Sequence, residues 1–210
     1  MKLYTYWRSS CSYRVRIALG LKGLDWDGLP VHLVRGEQNA PEYLAHSPTG
    51  LVPTLVLPDG TKLTQSMAIL DWLEAEYPTP ALLPSDPLQR ARVLAAAHVI
   101  AMDTQPMANT GTVEHLKREF GASVEGGIAW MVHFMTKNLA AMQKMIAPEG
   151  AFCFGDTPTW ADIVLIPQLY NAHRWGVDLA PLARLTGIEL NALALPAFEA
   201  ARPENQPDAE

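Results

Sequence analysis

Between Arg8 and Arg16 the chain reads Arg-Ser-Ser-Cys-Ser-Tyr-Arg-Val-Arg, placing three serine hydroxyls and one thiol between a short apolar strand pattern and the start of a helical one. The first turn of a helix holds backbone N–H groups without acceptors and carries about half a positive charge, so it stabilises a thiolate or a carboxylate. Ser9, Ser10 and Cys11 are therefore candidates for an anion site suited to sulfur chemistry. Cys11 could be a nucleophile in its own right or line the site without reacting, and the residue types leave both open.

Gln65-Ser66 opens a second helical pattern, and Ser66 reads either as a plain N-cap or as a grip on a carboxylate. Val52-Pro53 enters a strand, and X-Pro is the one linkage for which the cis form costs little. Arg8 and Arg174 are candidates for holding a carboxylate substrate, because the guanidinium fork matches carboxylate geometry. Each also has a plainer reading: Arg174 near a helix end complements the dipole, and Arg8 could be a surface charge. Arg14 and Arg16 are expected to form structural pairs.

The elements that must position these groups follow from hydrophobic period and turn residues. Lys2–Tyr6 alternates as a strand; Val15, Ala18 and Leu19 then share a helical face that Lys22 and Gly23 terminate. A second strand is expected within Asp27–Leu33, a loop with at most a short helix over Arg35–Ser47, and a third strand over Val52–Leu57. Pro58-Asp59-Gly60 turns the chain into a fourth strand, and a helix runs from Ser66 until Pro78 forbids it. This order, βαβ then ββα, is that of a thioredoxin-like α/β domain over residues 1–80.

The proline-dense stretch from Pro78 to Pro87 reads as a stiff linker into an all-helical domain over residues 88–202. Helices are expected at Arg90–Asp103, Val124–Ile146, Thr159–Arg174 and Leu190–Ala201. The first is apolar on nearly all sides, which predicts burial all round, in a helical core or partly in a subunit interface. Met131, Met135, Met142 and Met145 recur at helical spacing and read as packing. Thr159 and Asp162 form a capping box in which a shorter acid replaces the usual Glu, and Asp162→Ala is expected to cost about 1 kcal/mol, or somewhat more if buried. Residues 203–210 read as a polar, poorly ordered tail.

Composition narrows the function classes. Of the 210 residues 49% are apolar, enough for a sizeable core, and a net charge of −6 with no Lys or Arg run argues against nucleic acid. No stretch of about 18 apolar residues marks a membrane span, and Met1–Tyr6 lacks a signal-peptide pattern, so a cytoplasmic protein is expected. Cys11 and Cys153 make no C-x-x-C pair and read as free thiols, Cys153 as a buried apolar one. The six histidines form no H-E-x-x-H or Cys/His cluster, so no metal is expected. His173, next to Arg174, has a weaker claim to the substrate.

Taken together the motifs RSSCSYRVRIAL (8–19), LVPTL (51–55), QSMAI (65–69), YPTPALLP (77–84), GDTPTWAD (155–162), VDL (177–179) and QPD (206–208) resemble the zeta class of glutathione transferases. That group includes maleylacetoacetate and maleylpyruvate isomerases. The first motif is specific to the class, whereas VPTL and the capping box are shared by many transferases.

The resemblance implies a thioredoxin-like domain followed by a helical one, a homodimer, and glutathione as cofactor. It implies that Ser9, helped by Ser10 and Cys11, stabilises the glutathione thiolate. Val52, before Pro53, would pair with the cysteinyl backbone, Gln65 and Ser66 would hold the γ-glutamyl end, and Gln38 would reach the glycyl end. Gln105 and Asn109 would complete the site, and Arg8 and Arg174 would clamp a dicarboxylate. The implied reaction converts a maleyl to a fumaryl group by reversible thiolate addition, with maleylacetoacetate the first expectation and maleylpyruvate the second. A dehalogenating transferase acting on α-halo acids or chlorinated hydroquinones, with Cys11 as resolving nucleophile, and a non-catalytic binding protein are the alternatives.

Overall fold

Leu3 and Thr5 point into the core while Lys2 faces solvent, which makes Lys2–Thr5 a half-buried strand, β1. It lies inside a four-stranded sheet of order β2-β1-β3-β4 in the computed structural model, which describes residues 1–210. β2 (Asp27–Pro30) is parallel to β1, and α1 (Ser10–Leu21) is the crossover that parallel pairing requires. β3 (Thr54–Val56) and β4 (Lys62–Thr64) add antiparallel partners, with Leu3 opposite both Gly28 and Leu55. Between β2 and β3 two 3₁₀ turns, Leu33–Arg35 and Glu37–Asn39, lead into α2 (Pro41–Leu44). α3 (Ser66–Glu76) packs beside α1, and this is the thioredoxin-like arrangement.

The strands are shorter than the sequence pattern predicts, for local reasons. β2 stops at Pro30 because His32 turns its imidazole back to accept from Arg35 N and starts a 3₁₀ turn. β3 begins at Thr54 because Val52 and Pro53, joined by a cis bond, lie outside the ladder and Pro53 has no N–H to give it.

Residues Leu82–Ala192 form a second, all-helical unit. α4 (Pro87–His98) opens with Asp86 as N-cap and Pro87 at the first helical position, then widens into one π-helical turn, Val99–Thr104. Within the one chain its burial is one-sided: Val93, Ala96, Ala97 and Ile100 are buried, whereas Met102 is 55% exposed. α5 (Thr110–Phe120) follows, a helix not anticipated from the sequence, and then α6 (Val124–Met145), α7 (Trp160–Trp175) and α8 (Ala183–Leu193). Met131, Met135 and Met142 pack inside while Met145 is 40% exposed. No helix is long and apolar enough to cross a membrane.

A single helix over Leu190–Ala201 does not form. Pro196 lacks the N–H to continue α8 and holds Leu195 extended, so α9 (Pro196–Ala200) is a separate turn. α9 and everything after it belong with the sheet: the first compact unit is Met1–Ala81 together with Leu193–Glu210, so the boundary expected at 202 falls near 192. The physical cause is the contact of α9 with α1, where a Cβ on Gly20 would come within 3.2 Å of the Ala197 Cβ.

The segment 203–210 is likewise no loose tail. Gln206 Nε2 donates to Ala200 O and Arg202 O at 2.9 and 2.8 Å, and Asp208 Oδ2 accepts from Trp7 N at 3.0 Å. These residues brace the first turn of the chain.

Candidate active site

The turn from β1 into α1 is held on both sides by backbone bonds. Arg16, 2% exposed, donates to Trp7 O, Ala201 O and Thr5 Oγ1 at 2.9, 3.1 and 3.1 Å, and burial pushes its pKa down to about 10. It pairs with carbonyls and a hydroxyl, not with a carboxylate. With Asp208 on Trp7 N and Arg16 on Trp7 O, the residue just before Arg8 is fixed at both its backbone polar atoms. The Trp7 side chain lies in an apolar cluster with Tyr6, Val31, Tyr43 and Val52.

Ser9 takes an extended conformation (φ −69°, ψ 117°) and caps α1, its Oγ accepting from Ser12 N at 3.2 Å. As an acceptor in that bond it keeps its own O–H to donate to an anion. The N–H groups of Ser10 and Cys11 belong to the first turn, where no helical acceptor exists. Ser9, Ser10 and Cys11 are all partly exposed, and the Cys11 thiol is free.

Ser66 begins α3 and is buried, behind Gln65 with φ 68° and ψ 113°, the one non-glycine residue of the chain at positive φ. A long side chain held there costs about 1–3 kcal/mol, a strain that gathers where backbone geometry serves a site.

Arg14 joins the two helix starts. It is 1% exposed; its Nη1 donates to Ser66 Oγ at 3.3 Å and approaches Cys11 Sγ at 3.7 Å, while Nε and Nη2 have no acceptor. The expected structural pair is absent: no carboxylate lies within salt-bridge distance of this guanidinium. Nothing in the sequence pattern signals this, because the lack of a partner is a property of packing.

Arg8 stacks on the Trp7 ring at 4.5 Å, donates to Tyr6 Oη at 3.2 Å, and leaves a buried Nε without an acceptor. Gln38 lies in the second 3₁₀ turn with Oε1 buried and unpaired, and Gly50 (φ 62°) passes so close that a Cβ there would meet Gln38 O at 3.1 Å. Ser9, Ser10, Cys11, Arg14 and Ser66 thus come together, with Arg8 on the same turn and Val52 in the cluster beneath it.

In the helical unit Gln105 follows the π turn, whose Gln105 N donates to Ile100 O at 3.0 Å. Asn138 Nδ2 on Asp103 O, Trp130 Nε1 on Met107 O and Thr112 Oγ1 on Pro106 O hold the next residues in place. Asn109 caps α5, its Oδ1 accepting from Gly111 N at 2.9 Å, which gives it a structural task. Arg174 lies in the last turn of α7, stacked on the Trp175 ring at 4.5 Å, and His173 is engaged with Glu189 at 2.8 Å.

Residues 8–76 match the family model for the glutathione S-transferase N-terminal domain, and residues 135–198 that for the C-terminal domain. Maleylacetoacetate isomerase of Pseudomonas aeruginosa is 49% identical over 210 residues, covering 99% of this chain and 98% of that one. The holo structure of a maleylpyruvate isomerase, described as a bacterial zeta-class glutathione S-transferase, matches over the whole of both chains with 41% identity and a TM-score of 0.97. The chain belongs to the zeta class of glutathione S-transferases.

A maleylacetoacetate isomerase of Methylobacterium extorquens, solved with malonate and glutathione bound, is similar to this transferase over the whole of both chains, with 36% identity and a TM-score of 0.96. The residues of this transferase fit the tripeptide on their own terms. Buried donors on Arg14 lack acceptors, the N–H groups of Ser10 and Cys11 in the first turn of α1 are open, and the backbone of Val52 stands outside the sheet.

Proposed function

We propose that this zeta-class transferase is a glutathione-dependent cis–trans isomerase of a maleyl-substituted diketo acid, maleylacetoacetate before maleylpyruvate. The observation that carries the reading is the meeting of two helix starts, α1 and α3, at one buried cation. One terminus suits a thiolate and the other a carboxylate, the two charges that glutathione presents.

When bound, glutathione supplies a thiolate nucleophile whose reversible addition removes the double-bond barrier to rotation. Ser9 Oγ–H and the N–H groups of Ser10 and Cys11 hold that sulfur ionised, and Gln65 and Ser66 seat the γ-glutamyl end. Val52, before Pro53, offers its backbone to the cysteinyl residue, Gln38 serves the glycyl end, and Gln105 and Asn109 complete the set. Arg8 and Arg174 hold the carboxylates of the substrate and oppose the negative charge that develops beside them. The active molecule is a dimer of two copies.

The test is direct conversion: purified protein with glutathione and either maleylacetoacetate or maleylpyruvate, followed by the appearance of the fumaryl product. Absence of product from both compounds rejects the isomerase. One observation favours a second reading, the free, partly exposed Cys11 thiol beside the Arg14 guanidinium. In a reductive dehalogenation Cys11 would be the resolving nucleophile, and Cys11→Ala would abolish turnover while leaving glutathione binding intact.

A further inference from the structure

We propose that Arg14 is a positioning residue for glutathione, the fixed counter-charge that makes Ser66 a carboxylate site. This rests on the glutathione reading above and adds to it a residue that lies behind the ligand.

The electrostatics around the Arg14 guanidinium are unfavourable by construction. A guanidinium that is 1% exposed sits between the first turns of α1 and α3, where both helix dipoles present their positive ends. It has no carboxylate partner, and two of its three nitrogens have no acceptor. A buried charge in such a place destabilises the fold unless an anion completes it. Arg16, two residues along the same helix, shows the opposite arrangement, with Nε, Nη1 and Nη2 all donating to protein oxygens.

The hydrogen-bond direction gives Arg14 its task. Because Nη1 donates to Ser66 Oγ, that hydroxyl is committed as an acceptor toward Arg14 and its single proton is left to donate to a carboxylate. The charge strengthens that donor, and the low dielectric around a buried pair strengthens it further. The α-carboxylate of the γ-glutamyl residue is the group this arrangement recognises.

The experiment compares wild type with Arg14→Met, measuring thermal stability without ligand and calorimetric affinity for two tripeptides: glutathione, and 4-aminobutyryl-cysteinyl-glycine, which lacks only the γ-glutamyl α-carboxylate. Arg14→Met is expected to melt at or above the wild-type temperature, to lose tenfold or more in affinity for glutathione, and to bind the truncated tripeptide as wild type does. Arg14→Gln carries the same expectation and takes the test if methionine does not fold. Glutathione affinity unchanged in the variant overturns the proposal. So does a variant that melts lower and loses affinity for both tripeptides equally, since that is the behaviour of a structural arginine. A wild-type protein that binds no glutathione rejects the glutathione reading as well, whereas the first two outcomes leave that reading standing.

Discussion

Two helix starts in this chain use similar residues to opposite ends. At α7 the Asp162 carboxylate, fully buried, collects Cys153 N, Thr159 N and Thr159 Oγ1 at 2.8, 2.8 and 2.9 Å, so that these three donors are satisfied from within. At α1 only Ser12 N is capped, and the N–H groups of Ser10 and Cys11 and, beneath them, Nε and Nη2 of Arg14 stay open. A closed helix start contributes stability. An open one forgoes that contribution and keeps its donors for a ligand.

The largest expected effect breaks the closed side. Asp162→Ala strands two backbone N–H groups and a hydroxyl in the core, and unfolding by denaturant should show a loss of about 3 kcal/mol, well beyond the roughly 1 kcal/mol of an ordinary cap. Glutathione affinity of the folded fraction should not change. On the open side the effects should reverse: Ser9→Ala should cost only about 1 kcal/mol in stability but about a hundredfold in kcat/KM. Equal stability losses at the two sites would erase the distinction.

Asp208→Ala removes the acceptor for Trp7 N, and about 1–2 kcal/mol of stability should go with it. Because Trp7 precedes Arg8, substrate KM should rise more than kcat falls; an effect on stability alone would make Asp208 a brace without influence on the site.

A pH series sharpens the comparison further. Burial raises the Asp162 pKa above its ordinary 3.8, against the lowering effect of its hydrogen bonds. A group with a raised folded pKa contributes its full stability below the ordinary value and loses it as pH climbs through the raised one. The stability advantage of wild type over Asp162→Asn should therefore shrink upward from about pH 4, and an advantage that grows would contradict the burial argument. The smallest effect is expected of Cys11→Ala, with kcat/KM for the isomerisation held to within about threefold.

What the sequence made legible was local chemistry at fixed spacing. Ser9 before an apolar period, Thr159 three residues ahead of Asp162, and Pro78 after Glu76 each declare a helix boundary through contacts only a few residues long. The thioredoxin-like class followed because βαβ and ββα units admit few arrangements. What escaped depends on partners far along the chain. Asp208 meets Trp7 across 201 positions, α9 joins α1 through Gly20 and Ala197, and Arg14 matters because of what packing withholds from it. The π turn was hidden for another reason: its residues Val99–Thr104 keep a helical period, and only Gln105 N bonding back to Ile100 O reveals the extra residue per turn.

The first compact unit is interrupted in sequence, with residues 193–210 completing what residues 1–81 begin. During synthesis the sheet therefore emerges from the ribosome long before α9, Gln206 and Asp208 exist to close it, and it must wait while the whole helical unit is translated. Nascent chains stalled within residues 82–192 should consequently present an unfinished sheet domain, open to chaperones and proteases.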